Sequence, residues 1–149
     1  MIKFFKGSDD KFKLPKVKNT RKHYDVVIHI GAPKTGSSAL QKFFIENQSI
    51  LNKLGFLYPE HSLDENGISG GHSNLALKLI DKRDAEAKKQ FDILISKAKK
   101  ANKVLFLSSE AFYIRPQAVA DLVDGHRCKI IAFFRDPIEA INSNYYQGI

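Results

Sequence analysis

The chain has 149 residues, of which 43% are hydrophobic and 27% are charged, and it carries a single cysteine. This size and composition are typical of one globular domain, and they exclude an internal disulfide framework and a cysteine-rich metal site. The net charge of +8 would by itself suggest a polyanionic partner such as a nucleic acid.

That charge is concentrated at the beginning of the chain. Residues 1–22 hold eight lysines and arginines against Asp9 and Asp10, whereas residues 23–149 hold 16 basic and 14 acidic groups. We therefore expect a flexible basic segment at 1–22 and a folded domain at 23–149. No array of basic and aromatic residues recurs in the domain, so we expect no nucleic-acid partner.

The hydropathy pattern indicates where in the cell the protein is expected to occur. No stretch approaches the roughly 20 apolar residues that span a bilayer, and the first residues are too polar for a signal peptide. We expect no transmembrane segment and a cytoplasmic protein, which agrees with the use of one cysteine.

Residues 24–44, YDVVIHIGAPKTGSSALQKFF, predict a strand, a loop and a helix in succession. A β-branched apolar run up to Ile30 is typical of a buried strand. Glycine and proline interrupt the run, and helical periodicity begins at Ser37 and Ser38. This arrangement directs backbone N–H groups and the helix dipole at a bound anion, so we predict a phosphate-binding loop.

The rest of the chain alternates between helical and strand patterns, which predicts an α/β fold with a parallel sheet flanked by helices. The first helix is expected to bury Leu40, Phe43, Phe44, Asn47, Leu51 and Leu54, and to stop at Gly55. The later elements are a short strand at 56–58, a polar loop at 60–71, helices from His72 and around 87–98, a strand at 104–107, a helix at 118–123 and a strand at 129–134. Asp136 and Pro137 fit the N-cap and first position of a closing helix.

Polar residues follow three of the predicted strands where each strand ends. They are the glycine loop, Glu110 after the second long strand and Arg135 after the last. Because the carboxyl ends of parallel strands share one edge of a sheet, these groups are expected to line one crevice.

The loop at 31–38, GAPKTGSS, almost fits the Walker pattern of nucleoside triphosphatases. Ser37 stands where that pattern requires a lysine, and the lysine occurs earlier, at position 34. Lys34 can still neutralise the terminal anion of a shorter nucleotide. The alternative is a strand-to-helix turn that binds no ligand.

PKTGSS after a strand, followed later by FFRDP and a helix bearing Ser143, resembles the sulfotransferases that use 3′-phosphoadenosine 5′-phosphosulfate (PAPS). The resemblance implies a P-loop NTPase-like sheet, PAPS as sulfuryl donor and no metal. It further implies that the 5′-phosphosulfate is bound by Pro33, Lys34, Thr35, Gly36, Ser37 and Ser38, and the 3′-phosphate by Arg135 and Ser143. An ion pair between Arg135 and Glu139 is the alternative role for that arginine.

Sulfuryl transfer needs a base and positive charge at the leaving oxygen. Lys34 is our candidate for the charge. Two residues are candidates for the base: Glu110, which follows a strand end, and His72, which follows the polar loop and opens a helix. Each has a purely structural alternative, a cap or loop contact for Glu110 and a packed or surface role for His72.

The expected activity is sulfuryl transfer from PAPS to a hydroxyl or amine acceptor, with the polar loop at 60–71 favouring a carbohydrate. Domains of this family are longer than this chain, so the resemblance implies that the chain is the N-terminal portion of a sulfotransferase domain. Two alternatives stay open: a non-catalytic fragment or remnant that binds PAPS or its product PAP, and a P-loop nucleotide kinase or NTPase. The missing Walker lysine argues against the second.

Overall fold

The computed structural model of the chain describes residues 23–31, 36–61, 63, 70–134, 136 and 138. Within these ranges the chain forms a four-stranded, all-parallel sheet with helices on both faces. The predicted α/β class with a parallel sheet is therefore confirmed. The basic segment 1–22 lies outside the described residues. In the part of the chain that is described, no helix is both long enough and apolar enough to cross a membrane.

The elements occur where the periodicity predicts them, with ends that differ by a few residues. The strands are β1 (Val26–Gly31), β2 (Phe56–Leu57), β3 (Val104–Ser108) and β4 (Cys128–Phe133). The helices are α1 (Ser37–Glu46), α2 (Gln48–Lys53), α3 (Ser73–Ile80), α4 (Asp84–Lys100) and α5 (Pro116–Leu122), with a 3₁₀ helix at Glu110–Tyr113.

The strand order is β2-β3-β1-β4, so β1 lies between β3 and β4. Alternate side chains of the strands enter two separate cores, as the pleat requires. Ile28 and Leu107 pack with α3, α4 and α5 on one face, and Val27 and Phe106 pack with α1 and α2 on the other.

This order creates a topological switch point between β1 and β3. The chain leaves β1 through helices on one face of the sheet and leaves β3 through helices on the opposite face. The two connections therefore diverge just beyond the carboxyl ends of neighbouring strands. In open α/β sheets, ligands bind in the crevice that such a divergence opens.

The prediction of which residues the first helix buries is wrong in part. Asn47 interrupts the helix between α1 and α2, with φ at −113°, and its side chain donates a hydrogen bond to the Phe43 carbonyl at 2.8 Å. Phe43 is 51% exposed, whereas Ser37 and Gln41 are buried. Phe44 carries the packing, with its ring centroid 4.8 Å from that of Phe106. Since successive helical residues are about 100° apart, docking through Phe44 and Gln41 turns Phe43 outward.

One predicted helix end is confirmed, and a bond expected at a second is present. Gly55 follows the C-cap Leu54 with φ at +86°, the left-handed conformation that glycine adopts at little cost. Asp136 Oδ1 accepts a hydrogen bond of 2.9 Å from the Ile138 N–H, which is the bond expected of an N-cap residue. Pro137, between them, lies outside the described residues.

Candidate active site

The N-terminus of α1 lies at the carboxyl edge of β1. Gly36 takes the left-handed conformation directly before the helix, with φ at +83°, and no side-chain hydrogen bond caps this end. The first helical bond runs from the Leu40 N–H to the Gly36 carbonyl at 3.3 Å. The N–H groups of residues 37–39 come before Leu40 in the chain, so they have no acceptor within the helix. Such a terminus suits an anion.

Glu110 comes from the neighbouring strand and meets this helix start. The Ser37 hydroxyl donates a hydrogen bond to Glu110 Oε1. Ser109, and not Glu110, caps the 3₁₀ helix, because its hydroxyl accepts from the Ala111 N–H at 3.2 Å. The Glu110 carboxylate is therefore directed across the switch point toward α1.

Backbone and side-chain bonds fix the ends of β1 and β3 to each other. The Ser109 N–H donates to the His29 carbonyl at 3.1 Å, and His29 Nδ1 lies 2.8 Å from Ser108 Oγ. His29 is buried, and burial lowers its pKa. His29 is thus part of the packed floor beneath the crevice.

His72 is built into the same floor. Its Nε2 lies 3.1 Å from the Pro59 carbonyl, and its Nδ1 lies 3.0 Å from the Ser108 N–H. Nδ1 also lies 3.2 Å from the Ser108 carbonyl, so the tautomer with its proton on Nε2 donates to Pro59 and accepts from the Ser108 N–H. Burial, with the neighbouring His61 adding to it, lowers the pKa of His72 to about 4. Both ring nitrogens are occupied by backbone groups.

Gly71 permits the close approach of α3 to β3. Its φ is +61°, and a Cβ at this position would lie 2.1 Å from the Ser108 carbonyl oxygen and 2.8 Å from Gln41 Nε2. Only glycine fits there without displacing the backbone. Sequence reasoning placed this residue in a polar loop and did not identify the contact.

A cleft of about 290 Å³ opens beside Glu110. Its lining includes the polar residues Ser38, Gln41 and Ser73 and the larger side chains of Tyr113 and Ile114. Gln41 is 1% exposed, and its Nε2 has no hydrogen-bond partner among the described residues. The predicted buried face of the helix did not include Gln41, so sequence reasoning did not identify it as a residue of the cleft.

Several predicted site residues lie outside the described residues: Pro33, Lys34, Thr35, Arg135 and Ser143. The register pairs Gly31 of β1 with Phe133 of β4, so β4 ends at the same edge as β1. Gly36, Ser37, Ser38, Glu110 and His72 are described, and the structure brings Ser37 and Glu110 into contact.

Over the described ranges, no group of three or more His, Cys, Asp or Glu side chains is arranged to hold a metal ion.

Comparison of the chain with protein-family models, with curated proteins and with solved structures found no match. Function is therefore inferred from the sequence motifs and from the geometry of the crevice.

Proposed function

We propose that this chain is a sulfotransferase that binds PAPS at the carboxyl edge of β1 and transfers the sulfuryl group to a hydroxyl or amine acceptor. One observation carries the proposal: at the switch point, Ser37 at the uncapped start of α1 meets Glu110 from the end of β3. The reaction requires a site for the anionic donor and a group that can act as a base, and this crevice offers a helix start for the first and a carboxylate for the second. As part of the same proposal, we assign the fold to the P-loop NTPase-like type.

The residues of the crevice fit the anionic end of PAPS. The N–H groups at the start of α1 lack helical acceptors, and the Ser38 side chain lines the cleft at the same place. The motif assigns the remaining contacts, with Pro33, Lys34, Thr35 and Gly36 at the 5′-phosphosulfate. Arg135 and Ser143 are assigned to the 3′-phosphate, for which the planar guanidinium fork is well suited. When bound, PAPS supplies the sulfuryl group and a phosphate leaving group.

Glu110 is our proposed base. It takes the proton of the acceptor hydroxyl while the acceptor oxygen forms its bond to sulfur, and the bond from sulfur to the bridging oxygen breaks. The electron pair of that bond stays on the phosphate oxygen, where Lys34 is placed by the motif to stabilise the charge. The Ser37 hydroxyl orients the carboxylate through its hydrogen bond.

Binding of PAP, the desulfated product, tests the nucleotide assignment. Isothermal titration of the full chain should show saturable PAP binding, with ATP and Mg²⁺ binding far more weakly, because no lysine occupies the Walker position. Tight ATP–Mg²⁺ binding without PAP binding would contradict the proposal and favour a nucleotide kinase or NTPase.

Arg135→Ala tests the 3′-phosphate contact. Loss of charge-assisted hydrogen bonds should weaken PAP binding by about 10- to 100-fold and leave AMP, which lacks the 3′-phosphate, nearly unchanged. Arg83→Ala, at an exposed arginine paired with Asp81 and Glu86, is the matched control. An equal loss for PAP and AMP would show that Arg135 does not bind the 3′-phosphate.

Transfer itself is measured with labelled PAPS and pools of hydroxyl and amine acceptors. Labelled product is the expected result. PAP binding without transfer to any acceptor would favour the non-catalytic PAP-binding alternative.

A further inference from the structure

β4 is an edge strand whose outer side pairs with no other described strand. The sheet order places it at one end, and β1 is the only described element with which it makes extensive contact. Natural proteins shield such edges with proline, bulges or charged side chains, because an unpaired edge binds other strands. The sequence of β4 is CKIIAF, in which Lys129 is the only charged residue. This edge is consequently suited to pair with a further strand.

The bonds between β1 and β4 show which backbone groups of β4 point outward. The Val26 N–H donates to the Arg127 carbonyl at 3.3 Å, and Val26 lies opposite Cys128 in the register. Alternate residues of a strand bond to the same neighbour, so the odd-numbered residues of β4 bond to β1. The N–H and C=O groups of Cys128, Ile130 and Ala132 therefore point away from the sheet.

The same edge exposes apolar side chains on both faces of the sheet. Ile130, Phe133 and Phe134 are 47%, 46% and 81% exposed. Since a phenylalanine can bury about 150–250 Å², these side chains together expose on the order of 350 Å² in each copy of the chain. Two such edges, with their backbone groups added, approach the roughly 1,000 Å² of a specific interface.

The segments of the chain that lie outside the described residues are poorly suited to cover this edge. Residues 1–22 carry eight lysines and arginines against two aspartates, and they would meet the like charges of Arg127 and Lys129. Residues 139–149 follow a helix start at Asp136, and a parallel crossover alone needs about a dozen residues. A second copy meets neither objection, because its β4 is already extended and carries one charge.

We infer that two copies of the chain pair their β4 strands antiparallel, around a two-fold axis at Ile130, so that their sheets become continuous. In this register Ile130 lies opposite its counterpart, and Cys128 lies opposite Ala132 of the second copy. All three outward-facing residues are then paired, as a self-complementary two-fold interface requires. Any other antiparallel register that aligns the same faces leaves one of them beyond the end of the facing strand. Dimerisation of this kind is independent of the proposed function.

Ile130→Lys tests the pairing. Two lysines would face each other on the axis, and like charges directly opposite destabilise a strand pair. Sedimentation velocity of the full chain should show reversible dimerisation with a Kd in the micromolar range, because the interface is small. The substitution should weaken dimerisation by about tenfold or more. Ile93→Lys, at an isoleucine of α4 that is 51% exposed, is the matched control and should leave it unchanged.

Hydrogen exchange of single amides, followed by NMR, tests the register. The amides of Cys128, Ile130 and Ala132 should exchange slowly in concentrated protein and fast in dilute protein. Those of Lys129 and Ile131 bond to β1 and should exchange slowly at both concentrations. The same slow exchange in Ile130→Lys would show that the sheet of the variant is intact.

Three results would overturn the inference. A monomeric mass at every concentration, with the three outward amides exchanging fast, would show that the edge does not pair. Slow exchange of these amides in the monomer would assign the edge to another segment of the same chain. Dimerisation that Ile130→Lys does not weaken would place the interface elsewhere on the molecule.

Discussion

Glu110 and His72 were the two candidate bases, and the fold gives their side chains different surroundings. The Glu110 carboxylate reaches the start of α1 and lines the cleft. The His72 ring is held by Pro59 and Ser108 through both nitrogens. A base has to reach the acceptor, and of these two side chains only that of Glu110 lines the cleft, so this geometry favours Glu110.

Glu110→Gln distinguishes the two residues. The amide keeps an oxygen to accept from Ser37, so PAP affinity should stay near the wild-type value. Transfer should fall by about 10²- to 10⁴-fold, because the amide cannot take the acceptor proton. Single-turnover transfer of labelled sulfate measures the loss, and titration with PAP is the control. Turnover at the wild-type rate would shift the base role to His72.

At the scale of elements, α1 has to present its N-terminus to the crevice, and its aromatic contacts set that orientation. Phe44 packs its ring against Phe106 and Tyr58, with centroids 4.8 Å and 5.5 Å away. These contacts come from β3 and from the residue after β2, so they fix the helix against the sheet. Rotation of α1 about its axis would separate Ser37 from Glu110.

The adjacent phenylalanines of α1 provide a matched comparison. Phe44→Ala should lower the free energy of unfolding by about 3 kcal/mol, since it removes a packed aromatic ring. Phe43→Ala should lower it by less than about 1 kcal/mol, because Phe43 is half exposed. Urea unfolding followed by far-UV circular dichroism measures both. Equal losses would mean that α1 does not dock through Phe44.

At the scale of the whole molecule, one ion pair joins residues far apart in the chain at the edge opposite the crevice. Asp25 precedes β1, and Arg127 precedes β4. The guanidinium donates to both carboxylate oxygens at 3.0 Å, and the Arg127 backbone N–H donates at 3.1 Å. These hydrogen bonds, chiefly from the Arg127 side chain, lower the pKa of Asp25 from 3.8 to about 2.

This shift predicts a pH dependence of stability. A carboxylate whose pKa is lower in the folded state contributes stability that is fully present above its unfolded pKa and is lost as pH falls. The contribution of Asp25 should therefore persist above about pH 4 and disappear as the pH approaches 2. Urea unfolding at a series of pH values should show wild-type chain losing stability over this range more steeply than Asp25→Asn. Arg127→Ala should flatten the profile in the same way, and parallel profiles for all three proteins would refute the assignment.

The local pattern of the sequence determined the elements. β-branched runs placed β1, β3 and β4, apolar residues three to four apart placed α3 and α4, and Gly55 placed the end of α2. The polar residues at the strand ends also predicted that Glu110 lies near the start of the first helix, where it contacts Ser37. All of these signals are periodicities or conformational preferences of neighbouring residues, so a single sequence contains them.

Only the tertiary structure decided how those elements face one another. The contact of Phe44 with Phe106 turns Gln41 inward and Phe43 outward. The spacing of the apolar residues does not indicate the helix break at Asn47. The position of β3 beside β1 brings Glu110 to Ser37 and encloses His72 in backbone hydrogen bonds. These relations join residues that are dozens of positions apart, and the energy that selects them comes from packing and buried hydrogen bonds, which local periodicity does not encode.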